Sequence, residues 1–507
     1  MPEHLRSLVI ILILSTIFYT FAGRTASVSA IVGKTHFTTR RNLWFGITLA
    51  AFLAHSFWVY TFIAILLLLH ANRRETNPPA LFFFILFAVP IAYAQIPGFG
   101  LINFFFDLSH ARILALFILL PAYFALTQNS NTLSFGRTGP DKMLAAYLIL
   151  NALLHLRDSS FTETLRQTFY LFMDVFLPYF VISRSLKNMQ AFKDALMSLT
   201  LAIMLLALFA GFESFKHWLL YGSLLHTLNL HQGMTGYLGR DDLLRVMASA
   251  GNPIALGLVM AAGIGFYLFL QKYIEQKHHR RLGMALLSIG LIAPVSRGPW
   301  VGTALLLVVF IATGRNPVKR LMSLAVVGAL ILGLVAALPG GERIINLLPF
   351  IGTTEKSTID YREDLITSTM VVIQRNPWFG SVDFLEEPEM QAMRQNGLVD
   401  VVNSYIGLAL ESGLVGLGLF VGFFAAVVLV LYKAMHSLSD KDSEEYLLGR
   451  SLLATQLAIL LIIFTVSSIT VIPIMCWSVA ALGVAYVQMV RKQANSTESL
   501  PYKPIPK

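Results

Sequence analysis

The sequence predicts an all-α fold, a polytopic transmembrane helical bundle of about 12–14 spans with a long external loop containing short helices. Three observations predict it. Of 507 residues, 56% are hydrophobic and only 13% are charged, about half the charged share of a soluble domain. The apolar residues are gathered into runs close to or above the length that crosses a hydrocarbon core of about 30 Å. Between the runs lie short loops rich in Lys and Arg, the mark of a cytoplasmic membrane face. A soluble globule is excluded. The net charge of +10 is accounted for by topology, so no nucleic-acid partner is implied. The single cysteine, Cys476, sits inside an apolar run, which excludes a disulfide framework and a cysteine-ligated metal site.

In chain order the apolar segments are 8–22, 43–69, 80–97, 111–127, 142–156, 164–183, 191–211, 252–271, 282–295, 299–313, 321–338, 405–432, 447–467 and 470–490. The first lacks a small-residue cleavage site and is kept as a helix. The loop Gln271 to Arg281, the segment Arg315 to Arg320, and Arg491 with Lys492 mark the cytoplasmic side. Counting back from them, an even number of segments puts both termini there. Arg24, Lys34, Arg40 and Arg41 then fall outside. That conflict points to a count off by one, and the 28-residue run Leu43 to His70 is its place.

This count divides the chain into N-terminal transmembrane helices (1–211), an external loop with an interfacial helix from Trp218 to His231 (212–251), transmembrane helices with a Ser-Arg-Gly turn (252–338), a large external loop (339–404), C-terminal transmembrane helices (405–490) and a disordered cytoplasmic tail (491–507). The large loop holds ten acids against five bases. Asp360 to Gln374 has helical spacing, with Tyr361, Leu365 and Val372 on one stripe, and Asn376-Pro377 ends it. Glu387-Pro388 opens a second short helix that Gly397 closes. No internal repeat of the kind found in secondary transporters is present.

The most specific local feature is Pro294-Val295-Ser296-Arg297-Gly298-Pro299-Trp300. An arginine between two apolar segments must be solvated or paired. It serves either as a headgroup anchor or as an anion site, because a guanidinium presents a rigid fork of donors to phosphate oxygens. Arg245 lies at the end of the first external stretch, before Gly251-Asn252-Pro253 opens a span. Arg240 has Asp241 or Asp242 as salt-bridge partners, which argues against a metal at those acids. Arg362, in Asp360-Tyr361-Arg362-Glu363-Asp364, divides evenly between a helix-surface ion pair and an active-site role. His226 and His231 have neither metal nor dyad spacing, His278 and His279 belong to a basic loop, and His55 and His110 suit hydrogen bonds at helix ends.

The series Arg245…Asn252-Pro253, Ser296-Arg297-Gly298-x-Trp300, Arg362…Asn376-Pro377-Trp378-Phe379-Gly380 and Asn403-Ser404-Tyr405-x(5)-Glu411-Ser412-Gly413-Leu414-Val415-Gly416-Leu417 resembles the O-antigen ligase and O-antigen polymerase superfamily. The blocks span Arg245 to Leu417, and the N-terminal half matches only in hydropathy. The resemblance implies a multi-pass glycosyltransferase of the bacterial inner membrane, working without a metal or other cofactor and with inversion. Its donor would be a polyprenyl-pyrophosphate-linked glycan and its acceptor a hydroxyl of a glycan or lipid-linked glycan on the periplasmic face. Membrane lipid and other polysaccharide assembly proteins complete the implied partners. Arg245 and Arg297 inherit the pyrophosphate grip, with Ser296 and Asn403 beside them.

One position departs from the family pattern. Where relatives commonly carry a histidine that assists the acceptor hydroxyl, this chain has Val402, which cannot take a proton. Asp400 is the first replacement candidate and Glu411 the second, with Glu363 and Asp364 also open, and Arg362 is a catalytic candidate in a role other than base. Trp378, Phe379 and Tyr405 are available to stack on a sugar, although aromatics near an interface more often anchor. The altered acceptor side favours a polymerase over a ligase. The competing classes are a transporter or flippase of lipid-linked glycans and a non-catalytic glycan-binding relative.

Overall fold

The structure, a computed structural model, describes residues 1–100, 102–230, 237–240, 243–338, 341–348, 356–394 and 399–498. It is almost wholly helical. The described helices are α1 (Glu3–Arg24), α2 (Lys34–Leu53), α3 (Phe57–Asn72), α4 (Pro78–Ile85), α5 (His110–Gln128), α6 (Gly139–Asp158), α7 (161–185), α8 (Met189–Lys216), α9 (Pro253–Leu270), α10 (Lys277–Ile292), α11 (Arg297–Ala312), α12 (Pro317–Ala337), α13 (Gly341–Leu347), α14 (Lys356–Arg375), α15 (Pro388–Ala392), α16 (Ser404–His436), α17 (Glu444–Ile462) and α18 (Ile472–Glu498). Shorter helical turns join them. Eight of the described helices are long and apolar enough to cross a membrane, and α3 and α11 are apolar but shorter. Several of the remaining expected spans are broken pieces. α4 stops after eight residues, and α7 contains a π-helical turn, Phe172–Phe176.

Two small antiparallel pairs interrupt the helices. β1 (Ala94–Pro97) pairs with β2 (Phe104–Leu108), where an aromatic run suits extended backbone. β3 (Gly239–Arg240) pairs with β4 (Leu243–Leu244). The segment 80–97, expected as a single span, is therefore a short helix leading into a hairpin.

The run 43–69 is two antiparallel helices, α2 and α3, divided at His55, whose φ is +49°. This corrects the placement of both termini on one face. Trp218 Nε1 donates to Glu3 at 2.9 Å, so the start of α1 lies at the C-terminal end of α8. Lys193 near the start of α8 pairs with Glu444 at 2.8 Å, and Gln493 reaches Glu445 at 3.5 Å. The 28 residues of α8 span about 42 Å, so the two termini lie at opposite ends of the bundle. The same correction resolves the misplaced arginines. Arg40 bonds Asp194 at 2.6 Å and Glu75 at 2.8 Å, which puts it at the basic end with Arg73, Arg74 and Lys193.

The core is built around α8, α9, α17 and α18, whose apolar windows are largely buried. At the other end of the bundle, the stretch expected as one interfacial helix is helical only at Leu224–Thr227. His217 and Asn229 have positive φ and break the pattern, and Leu219, Leu220, Leu224 and Leu228 are buried in the bundle. His231, Asp241, Asp242 and Gly397 lie outside the described residues. The expected loop helix over 360–374 is observed as α14, and the second as the five-residue α15. α18 continues through 491–498, so that part of the expected disordered tail is helix.

Candidate functional site

Three helices start at the end of the bundle opposite the basic loops, and each starts in the same way. A residue in the left-handed region, Gly251 (φ +75°), Val295 (φ +50°) or Val402 (φ +50°), turns the chain into an extended N-cap. The caps are Asn252 for α9, Ser296 for α11 and Asn403 for α16. Asn252 and Asn403 each accept, through Oδ1, from the backbone N–H groups two and three residues further on. Such side chains satisfy donors that a helix start leaves open. Asn403 is thereby engaged in capping. Left-handed backbone is natural for glycine and unfavourable for valine, so at Val295 and Val402 the surrounding contacts impose it.

Arg245 and the Ser-Arg-Gly turn meet. Arg245 Nη2 donates to Ser296 Oγ at 3.2 Å, and Arg240 donates to the Val295 carbonyl at 2.9 Å. Arg297 donates through Nε to the Leu347 carbonyl at 3.0 Å and through Nη2 to the Asn346 carbonyl at 2.9 Å, so it grips the C-terminal end of α13. Gly298 packs directly on Thr465, and a Cβ there would overlap the threonine hydroxyl.

From Thr465 the contacts continue to the start of α16. Ser404 Oγ donates to the Val466 carbonyl at 2.7 Å. Ser467 Oγ donates to Asp400 Oδ1 at 2.5 Å. The Val402 N–H donates to Ser467 Oγ at 3.0 Å and to Asp400 Oδ1 at 3.1 Å. Asp400 is exposed, and Oδ2 makes no hydrogen bond among the described residues. Tyr361 donates to the Asp400 carbonyl at 3.1 Å, and burial first, then the Asp400 charge, pushes its phenol up.

Beside these groups lies a cavity of about 430 Å³ lined by Arg362, Leu365, Ile366, Val402, Asn403, Tyr405, Ile406, Phe464 and Thr465 among others. Its wall is apolar, with Arg362 as its charged member. The apolar face of α14 closes it, because Leu365 and Val372 pack with Met390, Val401 and Leu410 in a small core of their own. Arg375 holds α15 against α14 through Glu387 at 2.6 Å and through Glu389. The Arg375 hydrogen bond keeps the Glu389 carboxyl below its usual range.

The structure thus joins Arg245 to Ser296, next to Arg297 in the chain, and sets Arg362, Asn403 and Tyr405 in the wall of the adjoining cavity, with Asp400 hydrogen-bonded to the N–H of the wall residue Val402. Tyr405 OH is committed to the Leu460 carbonyl at 2.8 Å. Trp378 and Glu411 lie outside that cavity wall. The helix α16 breaks at Gly413 (φ +67°), and the segment 376–381 docks into the break. Leu414 and Val415 donate to the carbonyls of Pro377 (2.8 Å) and Trp378 (3.1 Å), and Ser381 donates to that of Leu410 (2.9 Å). Arg157 of α6 clamps the Gly380 carbonyl at 3.1 Å. The Asn-Pro-Trp-Phe-Gly and Glu-Ser-Gly blocks therefore interlock through backbone. The Trp378 ring is exposed and does not line the cavity. Glu411 also lies off the cavity wall and faces the Tyr147 side of α6.

Glu213, Ser467 and Thr465 were not singled out from sequence. Glu213 is fully buried at the end of α8. It accepts from the N–H groups of Leu220 (2.9 Å), Met247 (3.3 Å) and Ala248 (3.0 Å), and so fixes the backbone just after Arg245. An acid at the end of a long apolar run was the available signal. Ser467 and Thr465 carried none. Among the described residues no group of three or more His, Cys, Asp or Glu could hold a metal ion.

Residues 282–421 match the family model described as O-antigen ligase. Over this segment the chain is similar to O-antigen ligases. No curated protein matches it. The matched segment contains Ser296, Arg297, Arg362, Asp400 and the interlocked blocks, whereas Arg245 and Glu213 lie before it. The eight apolar helices make this a multi-pass membrane protein, one segment of which is similar to O-antigen ligases.

Proposed function

We propose that the chain transfers a polyprenyl-pyrophosphate-linked glycan to an acceptor hydroxyl, as a metal-independent, inverting polysaccharide polymerase or ligase of a bacterial inner membrane. The basic end of the bundle would face the cytoplasm, as Lys- and Arg-rich loops do, and the Arg245 and Arg297 end the periplasm. The observation that carries the reading is the contact between Arg245 and Ser296 at the start of α11, beside an apolar cavity suited to a lipid tail.

In this reading the pyrophosphate sits against the guanidinium groups of Arg245 and Arg297 and the positive N-terminal end of α11. Charge grows on a phosphate oxygen as the sugar departs, and preoriented charged donors stabilise it by a few kcal/mol. Asp400 is the base available at the cavity mouth. Oδ1 is held by Ser467 and Val402, leaving Oδ2 to receive the acceptor proton. Polymerase is favoured over ligase because Val402 changes the acceptor side.

The test is transfer by purified protein supplied with lipid-linked donor. Arg297→Lys keeps the charge but loses the fork, and it should reduce transfer about 10²–10³-fold while the protein stays folded. Full activity in that variant sinks the assignment. Asp400→Asn retains the Oδ1 acceptor for Ser467 and should lower turnover and flatten its pH dependence. In a deletion strain, single-repeat surface glycan indicates a missing polymerase, and full-length chains stranded on carrier lipid indicate a missing ligase.

A further inference from the structure

At the basic end, far from Arg245 and Arg297, a cavity of about 750 Å³ opens between the turn before α6, the end of α7 and the ends of α16 and α18. Its polar side carries Arg137, Arg184, Lys187, Arg491 and Lys492, and no carboxylate is among its described lining residues. Arg184 is buried and neutralised by Asp141 at 2.6 Å, which also accepts from Tyr179 at 2.7 Å. Arg137, Lys187 and Arg491 are exposed around the mouth and make no ion pair among the described residues. The other wall is apolar, with Val430, Val484 and Val487 running down the flanks of α16 and α18. Gln488 Nε2 is buried there without a hydrogen-bond partner among the described residues.

A cavity of this size suits a headgroup and the first part of a chain. Three cations without acids call for an anion, and an orphan amide donor calls for an oxygen acceptor. The apolar wall begins where the spans α16 and α18 end, at headgroup depth, and basic pockets between transmembrane helices on that side suit phosphate headgroups. The geometry points to a second site that binds the phosphate group of an anionic phospholipid, separate from the proposed transfer site and independent of its chemistry.

The experiment uses the full chain in a neutral detergent and follows its thermal midpoint against added phosphatidylglycerol, phosphatidylcholine or inorganic phosphate. The anionic lipid should raise the midpoint saturably, and phosphatidylcholine should not. Arg137→Gln combined with Lys187→Gln and Arg491→Gln alters only exposed side chains and should weaken the lipid effect about a hundredfold, roughly fivefold per cation. Arg73→Gln with Arg74→Gln, two exposed bases of the same end, should leave it intact. An equal shift with inorganic phosphate, lost in the triple variant, supports the anion site with soluble phosphate as its source and overturns the lipid source. An undiminished lipid effect in the triple variant, or equal loss in the Arg73 and Arg74 control, overturns the site itself.

Discussion

The helices α9 and α12 are equally apolar and of similar length, yet 89% of the apolar window of α9 is buried and none of that of α12 is. Hydropathy places both in the membrane and does not distinguish them. The difference lies in what their glycines meet. In α9, Gly257 abuts Pro299 of α11, Gly263 abuts Ile203 of α8, and Gly265 abuts Thr455 of α17. In α12, Gly328 and Gly333 have nothing within 4 Å. Lipid tails are as apolar as leucine, so close approach of backbones at small residues, rather than hydrophobicity, decides which helices pack together. The buried helix is also the one whose N-terminus lies beside the Arg245 segment, and the peripheral one leads to α13, whose carbonyls receive Arg297.

The largest expected effect comes from breaking that asymmetry. Gly265→Val places methyl groups on Thr455 and should prevent accumulation of folded protein, whereas Gly333→Val should leave yield and melting unchanged. Equal behaviour of the two variants in a detergent thermal-shift assay would discard the packing account. Next, Glu213→Ala strands three buried backbone donors between α8 and the segment before α9, at about 1–3 kcal/mol each. It should lower the melting temperature and abolish transfer by releasing Arg245. Glu213→Gln, which keeps an acceptor, should recover part of both. The smallest effect is at Val402. Replacing it by glycine relieves a left-handed β-branched residue and should stabilise by about 1 kcal/mol. A loss of stability there would mean that the valine side chain contributes more to the cavity wall than its backbone costs.

Part of the candidate site was legible in the sequence. Arg245 and Arg297 stood out because charge beside apolar spans is expensive, and in the folded chain Arg245 meets Ser296, the neighbour of Arg297. The sequence shows side chains, so it did not reveal that the Asn-Pro-Trp-Phe-Gly and Glu-Ser-Gly blocks, which carry Trp378 and Glu411, interlock through backbone groups at the break at Gly413. Glu213 was missed because its partners are main-chain N–H groups that no composition reveals.

By itself the sequence determined that the chain is helical, crosses the membrane many times, and carries its basic loops at one end, since these follow from apolar run length and local charge. Only the tertiary structure decided that the 43–69 run is a hairpin, that the termini part to opposite ends, and that Val295 and Val402 adopt a left-handed backbone. Those outcomes depend on contacts between segments far apart in the chain, such as Arg40 with Asp194 and Val402 with Ser467, and no local preference encodes them.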